Sequence, residues 1–298
     1  MRISLARPFR KVCRNLSYPA GVAFARFLTG NAVVRSLVFR RDIRQIKEVY
    51  EDACGIRLDD HAVRTLLIAK TLRRWRLFGS LDFSEGDLER YVRISGLEQV
   101  RERSESGQSV VLASAHYIGV GCLVPVLARL GFDLHTLTRK KNLDNFPGQV
   151  RYFFDDGDNI FDGFQNISKV MKSGGLIHGL LDGGRGSGIV AQTFLGRVCQ
   201  FRRSLFQLAW SEGAAIIPVS IRVDMDGCIL IDIHQPLSVE KADMTAKAAT
   251  ASLIEGYAKF LEATIRTHPA CFDPARIKHF WQRSIADEAN AGRAPGTF

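Results

Sequence analysis

No run of apolar residues in this 298-residue sequence reaches the roughly 20 that a membrane-spanning helix requires, because Pro19 and Arg26 interrupt the best stretch. The same stretch lacks a small-residue cleavage site, so a secretory signal is not expected. The six cysteines (13, 54, 122, 199, 228 and 271) never form a CxxC pair. Neither a zinc site nor a disulfide framework is supported, and reduced thiols in a cytosolic compartment fit best. Internal repeats and low-complexity tracts are also lacking, which excludes solenoids and arrays. What is present is ordinary globular composition: 46% hydrophobic and 24% charged residues exclude disorder as the dominant state. The length suits one large α/β domain, with room for a helical N-terminal arm.

The net charge of +10 is concentrated at one end. Residues 1–47 hold eleven of the 41 basic residues and, in Asp42, one of the 31 acidic ones, so the body balances at 30 of each. A basic arm can meet nucleic acid or anionic lipid. Here the basic residues are interleaved with apolar runs at 16–28 and 32–39 and with few polar side chains. That mixture suits a segment at a lipid interface, where each Lys or Arg contributes roughly 1 kcal/mol. An amphipathic helix packed on the domain with solvated arginines is the alternative. No aromatic cluster of the kind that stacks bases accompanies the charge, so nucleic acid is not an expected partner. The chain divides into a basic arm (1–47), an α/β body (48–290) and a disordered tail (291–298).

Helical spacing covers 43–78, with Asp59 or Asp60 placed to cap its second helix. A short strand at 91–95 and a charged surface helix at 96–105 follow. Beyond them, apolar strands at 109–115, 132–138, 176–181, 215–223 and 228–233 alternate with helices at 119–130, 164–172, 203–212 and 245–267. Runs such as Val110-Val111-Leu112-Ala113 are apolar on both faces. They predict a largely parallel central sheet flanked by helices.

In open α/β sheets, functional groups gather beyond the carboxyl ends of the strands. His116 stands there, after the strand at 109–115 and before the helix at 119–130. An imidazole, with an ordinary pKa near 6.5, can take a proton from a hydroxyl nucleophile at neutral pH. His178, inside an apolar strand, reads as a core residue. Cys122 is six residues from His116, off any shared helix face, and reads as a small buried hydrophobe. The run Asp182-Gly-Gly-Arg-Gly-Ser-Gly188 lacks the Lys-Ser/Thr of a P-loop. It reads as a flexible turn, or as a lip whose N–H groups or Arg185 meet an oxyanion or a carrier phosphate.

The run Gly-Gln-Ser-Val-Val-Leu-Ala-Ser-Ala-His116-Tyr-Ile-Gly resembles the strand and catalytic histidine of the lipid A biosynthesis (lauroyl and myristoyl) acyltransferase family. Other pieces follow in that family's order: Ile94-Ser-Gly-Leu-Glu98, Thr136-Leu-Thr-Arg139 with Asn142 and Asp144, Gly174-Gly-Leu-Ile-His-Gly-Leu-Leu-Asp182, Thr193-Phe-Leu-Gly196 and Glu212-Gly-Ala-Ala-Ile-Ile-Pro218-Val. The similarity covers about residues 50–270, with His268-Pro269 and Phe280-Trp281 near its end.

The resemblance implies transfer of a fatty acyl group from an acyl carrier protein (or CoA) thioester to a hydroxyl or amine of a lipid, sugar or specialised-metabolite acceptor. It implies a peripheral protein on the cytoplasmic face of a bacterial inner membrane, with no metal or redox cofactor. His116 is then the base, and Arg139, Arg185 and Arg197 are candidate acceptor or phosphopantetheine ligands. The family's signature places Asp or Glu five residues after the histidine, where this chain has Gly121. Three readings are open. Asp182, at the end of a strand parallel to that of His116, supplies the charge; or His116 acts without an orienting acid; or the chain is a non-catalytic relative that binds acyl lipid or carrier.

Overall fold

The computed structural model describes residues 16–74, 84–139, 150–154, 160–182, 188–238 and 244–281. Arg185, Asn142, Asp144, most of the glycine-rich run and the tail at 291–298 lie outside them.

Nine strands occur among the described residues: β1 (Val92–Ser95), β2 (Val110–Ser114), β3 (Leu134–Arg139), β4 (Val150–Phe154), β5 (Leu176–Leu180), β6 (Ile189–Phe194), β7 (Arg197–Arg202), β8 (Ala215–Val223) and β9 (Ile229–Ile233). Seven form one sheet in the order β1-β9-β8-β2-β5-β3-β4, and β6 and β7 pair separately as an antiparallel hairpin. Strands β8, β2, β5, β3 and β4 run parallel. Strand β9 is antiparallel to β8 because the two are joined by a tight turn, in which the Asp224 N–H donates to Cys228 O and Gly227 takes a φ of 79°. The expected α/β class with a largely parallel sheet is the fold observed. All five residues of β2 are buried, as the apolar run requires of a strand covered on both faces.

The helices are α1 (Tyr18–Gly30), α2 (Ala32–Val38), α3 (Arg40–Ile46), α4 (Asp60–Arg74), α5 (Glu85–Tyr91), α6 (Leu97–Glu105), α7 (Leu123–Arg129), α8 (Ile160–Lys172), α9 (Ser204–Ser211) and α10 (Ala246–Thr267). Local chemistry sets their starts. Pro19 sits in the first turn of α1, where its missing N–H costs nothing. Asn31 caps α2 by accepting from Val33 and Val34 N–H, and Ser84 and Asp87 form a capping box on α5. Asp59 accepts from Ala62 N–H at 2.7 Å and so caps α4.

The division at residue 47 is not a packing boundary. Helix α1 buries Tyr18, Val22, Ala25 and Leu28 in the common core, and the Tyr18 hydroxyl donates to Gly227 O at 2.5 Å. A side chain at Gly227 would collide with Val22. A buried ion cluster ties α3, α4 and the C-terminal segment together: Lys70 Nζ lies 2.9 Å from Asp42 and 3.1 Å from Asp273, and Arg73 also pairs with Asp273. Burial raises the Asp273 carboxyl, but Lys70 and Arg73 outweigh it and hold its pKa below the ordinary value. No helix among the described residues is long and apolar enough to cross a membrane.

Candidate active site

The chain leaves β2 toward β3 on one side and leaves β5 toward β8 on the other, so these adjacent strands mark a switch point in the sheet. Their register pairs Ser114 with Leu180. Two residues further, a tight turn in which Tyr117 N–H donates to Ala115 O at 2.7 Å brings out the ring of His116. Asp182 stands at the matching point beyond β5.

The two side chains meet. His116 Nδ1 lies 2.8 Å from Asp182 Oδ1, and the His116 backbone N–H donates to Asp182 Oδ2 at 3.0 Å. A carboxylate only accepts, so Nδ1 carries a proton, and in the neutral ring the lone pair is then on Nε2. The imidazole is 29% exposed and the carboxylate 9%, so the acid is shielded while the ring remains accessible. No described residue bonds Nε2. One carboxylate thus fixes the tautomer and, through the backbone N–H, the ring's starting point.

The surroundings keep the pair in place. Tyr257 of α10 donates to Ser114 O at 2.7 Å, and Leu181 N–H donates to the same oxygen at 2.9 Å. Burial first, and then the neighbouring Tyr117 and Asp182, push the Tyr257 phenol well above its ordinary pKa, so it remains a donor. Tyr117 packs edge-on against Phe272, and Ile118 N–H donates to Cys271 O at 2.9 Å. The C-terminal segment therefore braces the turn after His116.

Beneath the pair, buried His178 bridges three strands. Its Nε2 is 2.7 Å from Ser114 Oγ and its Nδ1 is 3.2 Å from Thr136 Oγ1. Burial lowers its pKa to about 4, so the ring is neutral and joins the two hydroxyls as donor and acceptor. The core reading of His178 is correct, but its hydroxyl partners come from other strands and carry no local sequence signal. Cys122 is buried, and burial pushes its thiol up, which removes it as a nucleophile. Gly121 is exposed on a short 3₁₀ turn, Val120–Cys122.

The candidate arginines fare differently. Arg139 ends β3, at the same carboxyl edge of the sheet and separated from β2 by β5; its side chain lies outside the described residues. Arg185 lies outside them altogether. Arg197, on β7, places its guanidinium 4.3 Å from the Trp281 ring centroid and makes no contact with His116 or Asp182. Among the described residues no His, Cys, Asp and Glu group stands where it could hold a metal ion.

The fold and this site define an open α/β protein with a carboxylate-oriented histidine at its switch point. Set against models of known protein families and against curated proteins, the chain matches none.

Proposed function

We propose that the protein is an acyltransferase that carries a fatty acyl group from an acyl carrier protein or CoA thioester to a hydroxyl or amine of a lipid, sugar or specialised-metabolite acceptor. The observation that carries this reading is the 2.8 Å contact between His116 Nδ1 and Asp182 Oδ1, which puts a proton on Nδ1 and assigns the lone pair of the neutral, partly exposed ring to Nε2. In the proposed reaction Nε2 takes the acceptor's proton as its oxygen or nitrogen attacks the thioester carbonyl. Asp182 stabilises the imidazolium that forms. Collapse of the tetrahedral intermediate breaks the C–S bond and expels the thiolate, which takes the proton from the imidazolium. Arg139, whose backbone ends β3 at the same edge, and Arg185, three residues after Asp182 in sequence, are the proposed partners of the oxyanion or of a carrier phosphate. General acid–base catalysis of this kind contributes roughly 100-fold to 10,000-fold.

The proposed setting is the surface of an anionic membrane. Phe27, Val33, Leu37 and Val38 on α1 and α2 are 56–76% exposed, amid the basic residues of the arm. Apolar side chains set among cations suit the headgroup boundary. Mass-spectrometric comparison of acylated lipids and metabolites, with and without the gene, tests the reading and names the acceptor. An acylated species that vanishes with the gene and returns with the wild-type chain is expected. If nothing changes while the purified protein still binds acyl carrier or lipid, the chain is a non-catalytic binder.

A further inference from the structure

Beyond the carboxyl end of β8 lies a cavity of about 450 Å³, lined in part by Cys271, whose carbonyl accepts from Ile118 in the turn after His116. Ligand pockets span roughly 300–1,000 Å³, so the volume suits a small molecule. Its walls come from distant parts of the chain: residues 56–59, the first two turns of α4, the end of β8, the start of β9 and residues 266–271. Ile56, Leu58, Val223 and Leu230 give it an apolar side.

The charged lining is unequal. Arg57, Arg222 and Arg266 contribute three fixed positive charges, with His61 and His268 beside them, against Asp59 and Asp224. Both carboxylates are engaged by backbone. Asp59 caps α4, and Asp224 Oδ1 accepts from Asp226 and Cys228 N–H at 2.9 and 2.8 Å. Because Asp59 already satisfies the first turn of α4, that helix end adds little to anion binding.

The arginines are less committed. Arg266 shares its charge with Glu262 at 2.8 Å. Arg222 reaches Asp232 only at 3.4 Å, and among the described residues its buried Nε has no hydrogen-bond partner. Arg57 is exposed, and no described acid pairs with it. An arginine fork held this loosely gives up little when it turns to a ligand, and two forks match the oxygens of a phosphate.

We infer that this cavity binds a small phosphorylated molecule, with its phosphate on Arg57 and Arg222 and its body against the apolar side. The inference stands on the cavity and does not require acyl transfer. Phosphate of this kind occurs on a phosphopantetheine arm and on a phosphorylated sugar acceptor.

Ligand-observed NMR titration of the full chain compares 4′-phosphopantetheine with pantetheine, and a hexose phosphate with the free hexose. In one pair the phosphorylated member should bind at least about tenfold more tightly, a difference typical of charge-assisted contacts. The pair that discriminates identifies the source. Arg222→Gln and Arg57→Gln should each weaken that binding about tenfold or more. Arg57 is exposed, so its variant keeps the fold whatever happens to Arg222. Equal binding within both pairs, or full phosphate-dependent affinity in folded Arg57→Gln, would overturn the inference. Binding is read without turnover, so failure of the acyltransferase reading leaves this result unaffected.

Discussion

His116 and Asp182 each stand two residues beyond a registered pair, Ser114 opposite Leu180, so the parallel ladder of β2 and β5 delivers both side chains to one point. Their 2.8 Å contact follows from strand register rather than from helical spacing. An acid five residues after the histidine is therefore not needed for a carboxylate to reach Nδ1. Asp182→Asn keeps the shape but removes the charge, and its amide N–H favours the other tautomer. Turnover should fall by roughly 100-fold to 10,000-fold. Stability by urea unfolding should change by about 1 kcal/mol or less. Steady-state rates on the folded variant check this, and an unchanged rate would assign Asp182 a structural part only.

Acidification should expose the buried imidazole of His178. Its pKa is about 4 in the folded protein, below the ordinary value near 6.5 that the unfolded chain restores. With a depressed histidine pKa, the unfolded state binds the extra proton. The contribution to stability is complete above about pH 6.5 and is lost as pH falls toward about 4, by up to about 3 kcal/mol. Urea midpoints near pH 7 and near pH 4.5 test this, because His178→Leu should be less stable at neutral pH yet lose less on acidification. Parallel pH profiles for the two proteins would contradict it.

Lys70 holds Asp42 and Asp273 together where all three are nearly inaccessible. Lys70→Met removes the buried cation that Asp42 and Asp273 share and leaves Arg73 on Asp273. A loss of about 3–5 kcal/mol in chemical unfolding is expected. The segment that includes Asp273 braces the turn after His116, so activity should fall well before the protein unfolds globally.

Membrane attachment should depend on the outward face of the arm. Deleting the arm would open the core at Tyr18, Val22 and Ala25, so point changes are the cleaner test. Phe27→Ser with Leu37→Ser replaces side chains that are 66% and 76% exposed. Unfolding should be nearly unchanged, while partitioning onto anionic vesicles drops at least about tenfold. Equal sedimentation of both proteins with vesicles would count against the surface.

The elements that place the pair were legible because their physics is local. The apolar runs of β2, β5 and β8 announce strands buried on both faces, and strand ends announce the site. Asp182 could be paired with His116 on that ground alone. Strand β7 was less visible, since Arg197–Arg202 alternates only partly and gains its meaning from pairing with β6. Strand β4, Val150–Phe154, gave no expectation although it completes the sheet edge. The direction of β9 lay in its turn, not in its composition. The cavity was out of reach because Arg57, Arg222 and His268 come to line one space only through tertiary packing. Arg197, a candidate ligand contact by sequence, stacks on Trp281, a neighbour that only packing brings to it.

The most direct test of the account is acyl transfer by purified wild-type protein and His116→Ala, with an acyl carrier protein thioester as donor and a membrane lipid extract as acceptor. Both proteins should unfold alike, and the wild type should form an acylated product detected by mass spectrometry. His116→Ala should form it at least about 100-fold more slowly. Equal product from folded His116→Ala, or none from the wild type with any donor, would contradict the claim that His116 and Asp182 drive acyl transfer.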